Sequence, residues 1–322
     1  MDRVNFFSIA LATCALLFLN SRADAQSFAR FTTEPWNGTD FVATYDHPIF
    51  ENSGHVKDSS LVTHMDWWDS FGRVRLDKNS DDSPFVAYRI FTSNSGSDSP
   101  ILHSTMDEFD LAAGLHLGTF DNWKIDALLG AGYGGTHPFL NEKGLFGLGD
   151  VTATHAINDN NSLLLAIDYA GNNGLLPDIP LPGFALIHRE EKYDYLLGFP
   201  VNHFTWRPNP ATTFTAQYTV PYTASLDVEY IPWRHAGFYA NAGNFFQGFN
   251  IAKEDSVDRQ FFQSRTVEAG VRFIFDPVID ASIGIGYAFD QSFSDGFDIR
   301  SLQPVAQISN VPYIAITLHG RL

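Results

Sequence analysis

VEAGVRFIFDPVIDASIGIGYAF, residues 267–289, alternates along almost its whole length. Val267, Ala269, Val271, Phe273 and Phe275 form one row, with Glu268, Gly270, Arg272 and Ile274 opposite. After a break at Asp276-Pro277, Ile279, Ala281, Ile283, Ile285, Tyr287 and Phe289 resume the apolar row. Asp280, Ser282, Gly284, Gly286, Ala288 and Asp290 lie against them. Successive side chains of a strand point to opposite faces, so this is a pair of long strands joined by a tight turn, each with one oily face.

The same pattern recurs. Phe109, Leu111, Ala113, Leu115 and Leu117 oppose Glu108, Asp110, Ala112, Gly114, His116 and Gly118. Trp123, Ile125, Ala127, Leu129, Ala131 and Tyr133 oppose Lys124, Asp126, Leu128, Gly130, Gly132 and Gly134. Residues 161–170, 212–220 and 224–231 alternate likewise, bringing Tyr169, Tyr218 and Tyr230 onto apolar rows and Asp168, Asp227 and Glu229 onto polar ones. Helical periodicity is nearly absent. Short turns at 119–122, 157–161, 207–211, 232–235 and 276–278 alternate with longer polar stretches at 135–145, 171–191, 250–262 and 291–308, as in an up-and-down meander.

The glycines indicate what the oily rows are buried against. In a soluble sandwich the polar face meets water and is rich in Lys, Glu and Thr. Here it carries Gly114, Gly130, Gly132, Gly284 and Gly286, which suit a curved interior. Trp123 and Tyr133 are ten residues apart on one oily row, which at about 3.3 Å per residue and a tilt near 40° places them about 25 Å apart along a membrane normal. That is the spacing of two aromatic girdles. Trp123, Tyr133, Tyr169, Tyr218, Tyr230 and Tyr287 are the girdle candidates, with the oily rows against lipid. A closed ring leaves no strand edge exposed there.

The flanks of the chain agree. Arg3, an apolar run from Val4 to Leu19 and the small-x-small triplet Ala23-Asp24-Ala25 read as a cleaved export signal, residues 1–25. A membrane anchor is the alternative, but the run is short of the roughly 20 apolar residues a spanning helix needs. A lipidation box at Leu11–Cys14 fits poorly at Thr13. Cys14 is the only cysteine, so the exported chain has no disulfide. A net charge of −17 argues against nucleic acid.

At the end of the chain, Ile314, Ile316, Leu318 and Leu322 alternate with Ala315, Thr317, His319 and Arg321. With the signal segment and the meander, this resembles an uncharacterised family of bacterial outer-membrane β-barrels of porin-like type. Leu322 stands where such barrels usually end in an aromatic residue. The resemblance implies an outer-membrane location, a lipid-bilayer environment and insertion by the barrel-assembly machinery. The expected fold is an all-β, transmembrane, up-and-down antiparallel barrel over residues 59–322, with 26–58 a leading segment holding at most one strand. About 13 strands are legible, and an even number is required, so about 12 are expected, or 14 if a strand around Asp40–His47 joins the ring.

On this register Glu108, Asp110, Asp126, Asp168, Asp227, Glu229, Glu268 and Asp280 face the lumen with Lys124 and Arg272. Asp150, Asp194, Asp290, Arg321, His116 and His319 join them. Carboxylate-lined pores favour cations; the same acids could also pair with Lys124 and Arg272 and plug the barrel. The function expected is therefore a passive, narrow pore for small solutes, cations among them, or a structural membrane component. The alternatives are a lipid hydrolase acting at the rim and a soluble exported β-sandwich that binds ligands.

No catalytic or metal-binding residue and no cofactor is assigned. His155, His203 and His235 lie near short turns without a nucleophile motif. Gly130-Ala-Gly-Tyr-Gly-Gly lies within a strand, which excludes a phosphate loop. DKNSDDS at 77–83 lacks the spacing of a calcium loop. Trp67-Trp68 and Phe245-Phe246 read as girdle residues or as a surface for sugars or an apolar solute.

Overall fold

The computed structural model describes residues 42–57, 59–77, 79–80, 82–96, 102–139, 142–220, 223–251, 258–276 and 278–321. The expected export signal, Cys14 and Asp40 lie outside the described residues.

Sixteen strands close into one ring. They are β1 (Val42–Glu51), β2 (Asp66–Arg75), β3 (Phe85–Asn94), β4 (Thr105–Phe120), β5 (Trp123–Gly135), β6 (Leu145–Asn158), β7 (Asn161–Ala170) and β8 (Leu181–Arg189). The ring continues through β9 (Tyr193–Phe199), β10 (Val201–Asn209), β11 (Thr212–Thr219), β12 (Thr223–Trp233), β13 (Ala236–Asn250), β14 (Arg259–Asp276), β15 (Ile279–Gly296) and β16 (Val311–Arg321). Each pairs antiparallel with its sequence neighbour. Closure is made by β1, whose Tyr45 stands opposite Phe71 of β2 on one side and His319 of β16 on the other. A two-residue hairpin, Gly54–His55 with Val62–Thr63, and a short strand, Gln303–Gln307, lie in the loops.

The ring of 16 corrects the expected 12 or 14. One extra strand is β8, inside the stretch 171–191 expected to be loop. Its sequence, LPGFALIHR, puts Phe184 and Leu186 on one face and Ala185 and Ile187 on the other, so both faces are apolar and period two vanishes. β9 and β10 are separated by Pro200 alone, leaving no loop between them to mark the change of strand. β1 lies in the segment set apart as 26–58, its pattern broken by Asp46, His47 and Pro48.

The quoted hairpin is β14–β15, with Val271 opposite Ile283 and Ala269 opposite Ile285. Its oily row lies on the outside: Ile285 is 73% exposed. Leu111, Leu129, Val151, Ile167, Phe184, Leu197, Ile314 and Leu318 are exposed around the same belt. On the inner row, glycines admit aromatic rings from the neighbouring strand or the next but one. A Cβ on Gly286 would fall 2.1 Å from Cζ of Tyr313, and one on Gly284 would fall 2.2 Å from the Tyr239 hydroxyl. The β4–β5 turn places Asp121 and Asn122 at φ of 46° and 66°, the left-handed pair that a two-residue hairpin requires.

Candidate functional site: a divided lumen

At the long-loop end, β13 leaves the circular course and crosses the interior. Phe245 packs against Trp67 of β2 and Phe91 of β3, with ring centroids 4.8 and 4.6 Å apart. Phe249 lies 5.6 Å from Phe91. The last residue of β13, Asn250, forms a parallel bridge with Gly135 of β5, eight places away around the ring. The Thr136 amide donates to the Asn250 carbonyl at 2.9 Å, and Asn250 Nδ2 donates to the Gly134 carbonyl at 3.2 Å. The lumen is therefore pinched into two compartments.

The compartment enclosed by β13–β16 and β1–β5 is packed. Ile49, Met65, Trp67, Phe91, Met106, Phe249, Phe262, Phe293 and Tyr313 form one buried cluster there. Trp67 and Phe245, read from sequence as girdle residues or a solute surface, belong to this interior, whereas the adjacent Trp68 is on the outside and 39% exposed. Burial of six-membered rings against one another is a large stabilising term and leaves no room for a water column.

Beneath the aromatics lies a polar tier centred on Glu108. Its carboxylate accepts from Arg89 Nη1 at 3.2 Å, from Asn172 Nδ2 at 3.0 Å and from the Gln247 amide. Arg89 Nε reaches Asp69 at 3.3 Å. Asp110 is buried next to Glu108 on the same row of β4. Glu268 accepts from the Tyr239 hydroxyl at 2.7 Å and lies 3.8 Å from His47.

Arg272 forms the hub at the short-turn end. It donates to Asp280 from Nε and Nη2 at 2.8 Å each and also to Glu229, and His319 Nδ1 lies 2.8 Å from Asp280. His116 contacts Asp126 at 3.0 Å. Lys124 donates to Asp82 at 2.5 Å, and this bond chiefly holds the Asp82 carboxyl below its usual range, although burial opposes it slightly.

The second compartment is bounded by β5–β13. Here the inner rows of β9–β12 carry Asp194, His203, Gln217, Ser225 and Asp227, all partly exposed. On β6 and β7, Asp150 and Asp168 are cross-strand neighbours and buried. Of the girdle candidates, Tyr218, Tyr230 and Tyr287 are exposed on the outer surface. Trp123 packs against His155 with ring centroids 5.0 Å apart in a tilted pair, and Tyr169 donates to Asp178 at 3.2 Å. Tyr133 is covered by Phe139 and donates to the His137 carbonyl at 2.6 Å.

Sequence reading missed the inward cations Arg73, Arg75 and Arg89. They share their rows with Trp67, Phe71, Phe85 and Phe91, so counting apolar residues does not show which row faces in. His203 Nε2 lies 2.9 Å from Thr205 Oγ1 and 3.7 Å from Asp194, so the carboxylate approaches the same nitrogen as the hydroxyl instead of orienting the ring from the other.

A closed antiparallel ring with an apolar outer belt and polar inner rows defines a transmembrane β-barrel of the bacterial outer-membrane kind. No protein-family model matches the chain, and no curated protein matches it in sequence. Among solved structures, the toluene transporter TodX of Pseudomonas putida aligns over 94% of this chain and 95% of its own, with 11% identity and a TM-score of 0.39. A Pseudomonas aeruginosa FadL homologue aligns over 87% and 88%, with 11% identity and a TM-score of 0.37. The NanC porin aligns over 87% and 100%, with 8% identity and a TM-score of 0.31. Scores this low do not establish a common topology, and the barrel assignment rests on the closed ring of strands.

Proposed function

We propose that the chain is an outer-membrane channel for small hydrophilic solutes, with cations preferred, and that the passage runs through the β5–β13 compartment alone. The observation that carries this is the contrast between the two sides of the pinch. Asp194, His203, Gln217, Ser225 and Asp227 on the inner rows of β9–β12 are polar and partly exposed, while the inner side chains of β1–β3 and β14–β16 at the long-loop end are packed in the aromatic cluster.

Charge on the open side supports the cation preference. Asp227 is partly exposed in the middle of β12, whereas the cations on the strands of this side, Lys124, Arg189 and Arg207, stand at their short-turn ends. Lys124 is already paired with Asp82, and Arg207 with Asp194 at 2.7 Å. A passage whose mid-depth wall exposes a carboxylate and no strand cation lowers the energy of a cation there and raises that of an anion. The outer belt sits against lipid, and export through the N-terminal signal delivers the chain to the periplasm for insertion.

Purified protein reconstituted in planar bilayers tests the reading. Discrete conductance steps are expected, with a reversal potential on the cation side in a potassium chloride gradient. Asp227→Asn should move that potential toward zero. Repeated insertion without conductance would refute the channel, and an unchanged potential in Asp227→Asn would refute the route.

A further inference from the structure

A loop at the long-loop end of a barrel ordinarily runs in water. The β7–β8 loop, 171–180, does not: Asn172, Asn173 and Gly174 are buried. Starting from the wall of the open compartment, it reaches across to the pinch. Asn172 Nδ2 donates to Glu108 and, at 3.2 Å, to the Gly248 carbonyl of β13.

One side chain ties this loop down. Arg259, the first residue of β14 and cross-strand partner of Asn250, is 4% exposed. Its Nη1 donates to the carbonyl and to Oδ1 of Asn172, both at 3.0 Å. Nη2 donates to the Asn173 carbonyl at 3.1 Å and to the Phe297 carbonyl at 2.8 Å, and Nε donates to Phe297 at 3.1 Å. The guanidinium also lies 4.9 Å over the Phe261 ring. Ile299 closes the junction, its amide donating to the Gly174 carbonyl at 3.0 Å. Two chain segments distant in sequence thus converge on one planar, five-donor group. A lysine, with a single ammonium centre, could not reproduce the fork.

We propose that the β7–β8 loop is the constriction of the β5–β13 passage and that Arg259 is the positioning residue that holds it there, setting the size of solute admitted. This rests on the channel reading. The loop's inward course comes from these tertiary bonds: within itself it has only local turns, such as Asn173 Oδ1 accepting from the Leu175 amide at 2.8 Å. Without Arg259 its buried carbonyls would be better served by water.

The test compares wild type, Arg259→Ala, Arg259→Lys and Arg265→Ala, the last removing an outer-row ion pair with Asp290. Each is checked for heat-modifiable gel migration. Hydrogen exchange over 171–180 reads the loop directly, and liposome swelling with sugars of increasing size reads the constriction. A hydrogen bond to a charged group contributes enough that exchange in Arg259→Ala should be faster by about tenfold or more. Arg259→Lys should be intermediate and Arg265→Ala unchanged, and the sugar size limit should rise in the same order as exchange.

Unchanged exchange in Arg259→Ala would overturn the positioning role. Faster exchange with an unchanged size limit, in a conducting wild type, would overturn the constriction while sparing the channel. Absence of permeation in every protein despite faster exchange would overturn the channel reading and the constriction with it. If Arg259→Ala does not fold, Asn172→Ala serves instead, since it removes the Nδ2 amide that bonds both Glu108 and Gly248 and the Oδ1 that accepts from Arg259, and the same outcomes apply.

Discussion

Phe91→Ala is the perturbation that most directly interrogates the pinch. Phe91 has no exposed surface and contacts Trp67, Phe245 and Phe249 at centroid distances of 5.9, 4.6 and 5.6 Å. Removing a fully buried benzyl group from a site walled by other rings leaves a cavity that the strands cannot collapse, and it should cost about 4 kcal/mol. Lipid-facing Leu129, 75% exposed, loses only its transfer energy on truncation to alanine, about 2 kcal/mol.

The decisive quantity is the coupling between Phe91 and Phe245, whose rings are stacked at an interplanar angle of 18°. A double-mutant cycle with Phe245→Ala should return about 1 kcal/mol, the value of an aromatic pair beyond its area. β3 and β13 are six places apart around the ring, so a round, water-filled barrel would show no coupling at all. Reversible urea unfolding in lipid vesicles, followed by tryptophan fluorescence, is the assay. A coupling energy within about 0.3 kcal/mol of zero would refute the pinch, since distant independent sites add to that accuracy.

Three further outcomes are expected. In single-tryptophan variants, brominated phospholipid should quench Trp68 strongly and Trp67 hardly at all, and equal quenching would contradict the assigned faces of β2. Gly286→Leu should prevent Tyr313 from lying across the inner wall and lower the heat-modification temperature of the barrel, whereas Gly149→Ala, with no atom closer than 3.9 Å to its Cβ, should leave it unchanged. In the β15–β16 loop, Asp298 is held below the ordinary aspartate value of 3.8 mainly by its hydrogen bond from Arg300. A lowered folded pKa stabilises fully above 3.8 and is lost as pH falls through the folded value. Hydrogen-exchange protection of 297–301 should thus persist on acidification through about pH 4 and fail only below it, and Arg300→Ala should move the loss to higher pH.

Lumen placement shows how far neighbouring residues inform one another. Glu108 is separable from Leu111 by parity alone, and Asp280 from Ile283, because their strands carry one oily row each. β2 and β3 do not yield to the same test. There arginine and phenylalanine share the inner row, as they must when one compartment is filled by rings and its polar tier by guanidinium–carboxylate pairs. Parity says which residues travel together, but it cannot orient a row whose composition is mixed.

Period-two alternation, the glycines opposite it and the tight turns between strands were sufficient in themselves to establish a β-barrel facing lipid, because each depends only on residues a few positions apart. Ring size was decided by tertiary structure: β8 hides in two apolar faces, and only pairing with β7 and β9 reveals it. The crossing of β13, the burial of Arg259 and the inward turn of 171–180 were decided there as well. These join residues such as Phe91 and Phe245, or Asn172 and Arg259, that lie far apart in the chain, and the free energy that selects them exists only once the ring has closed.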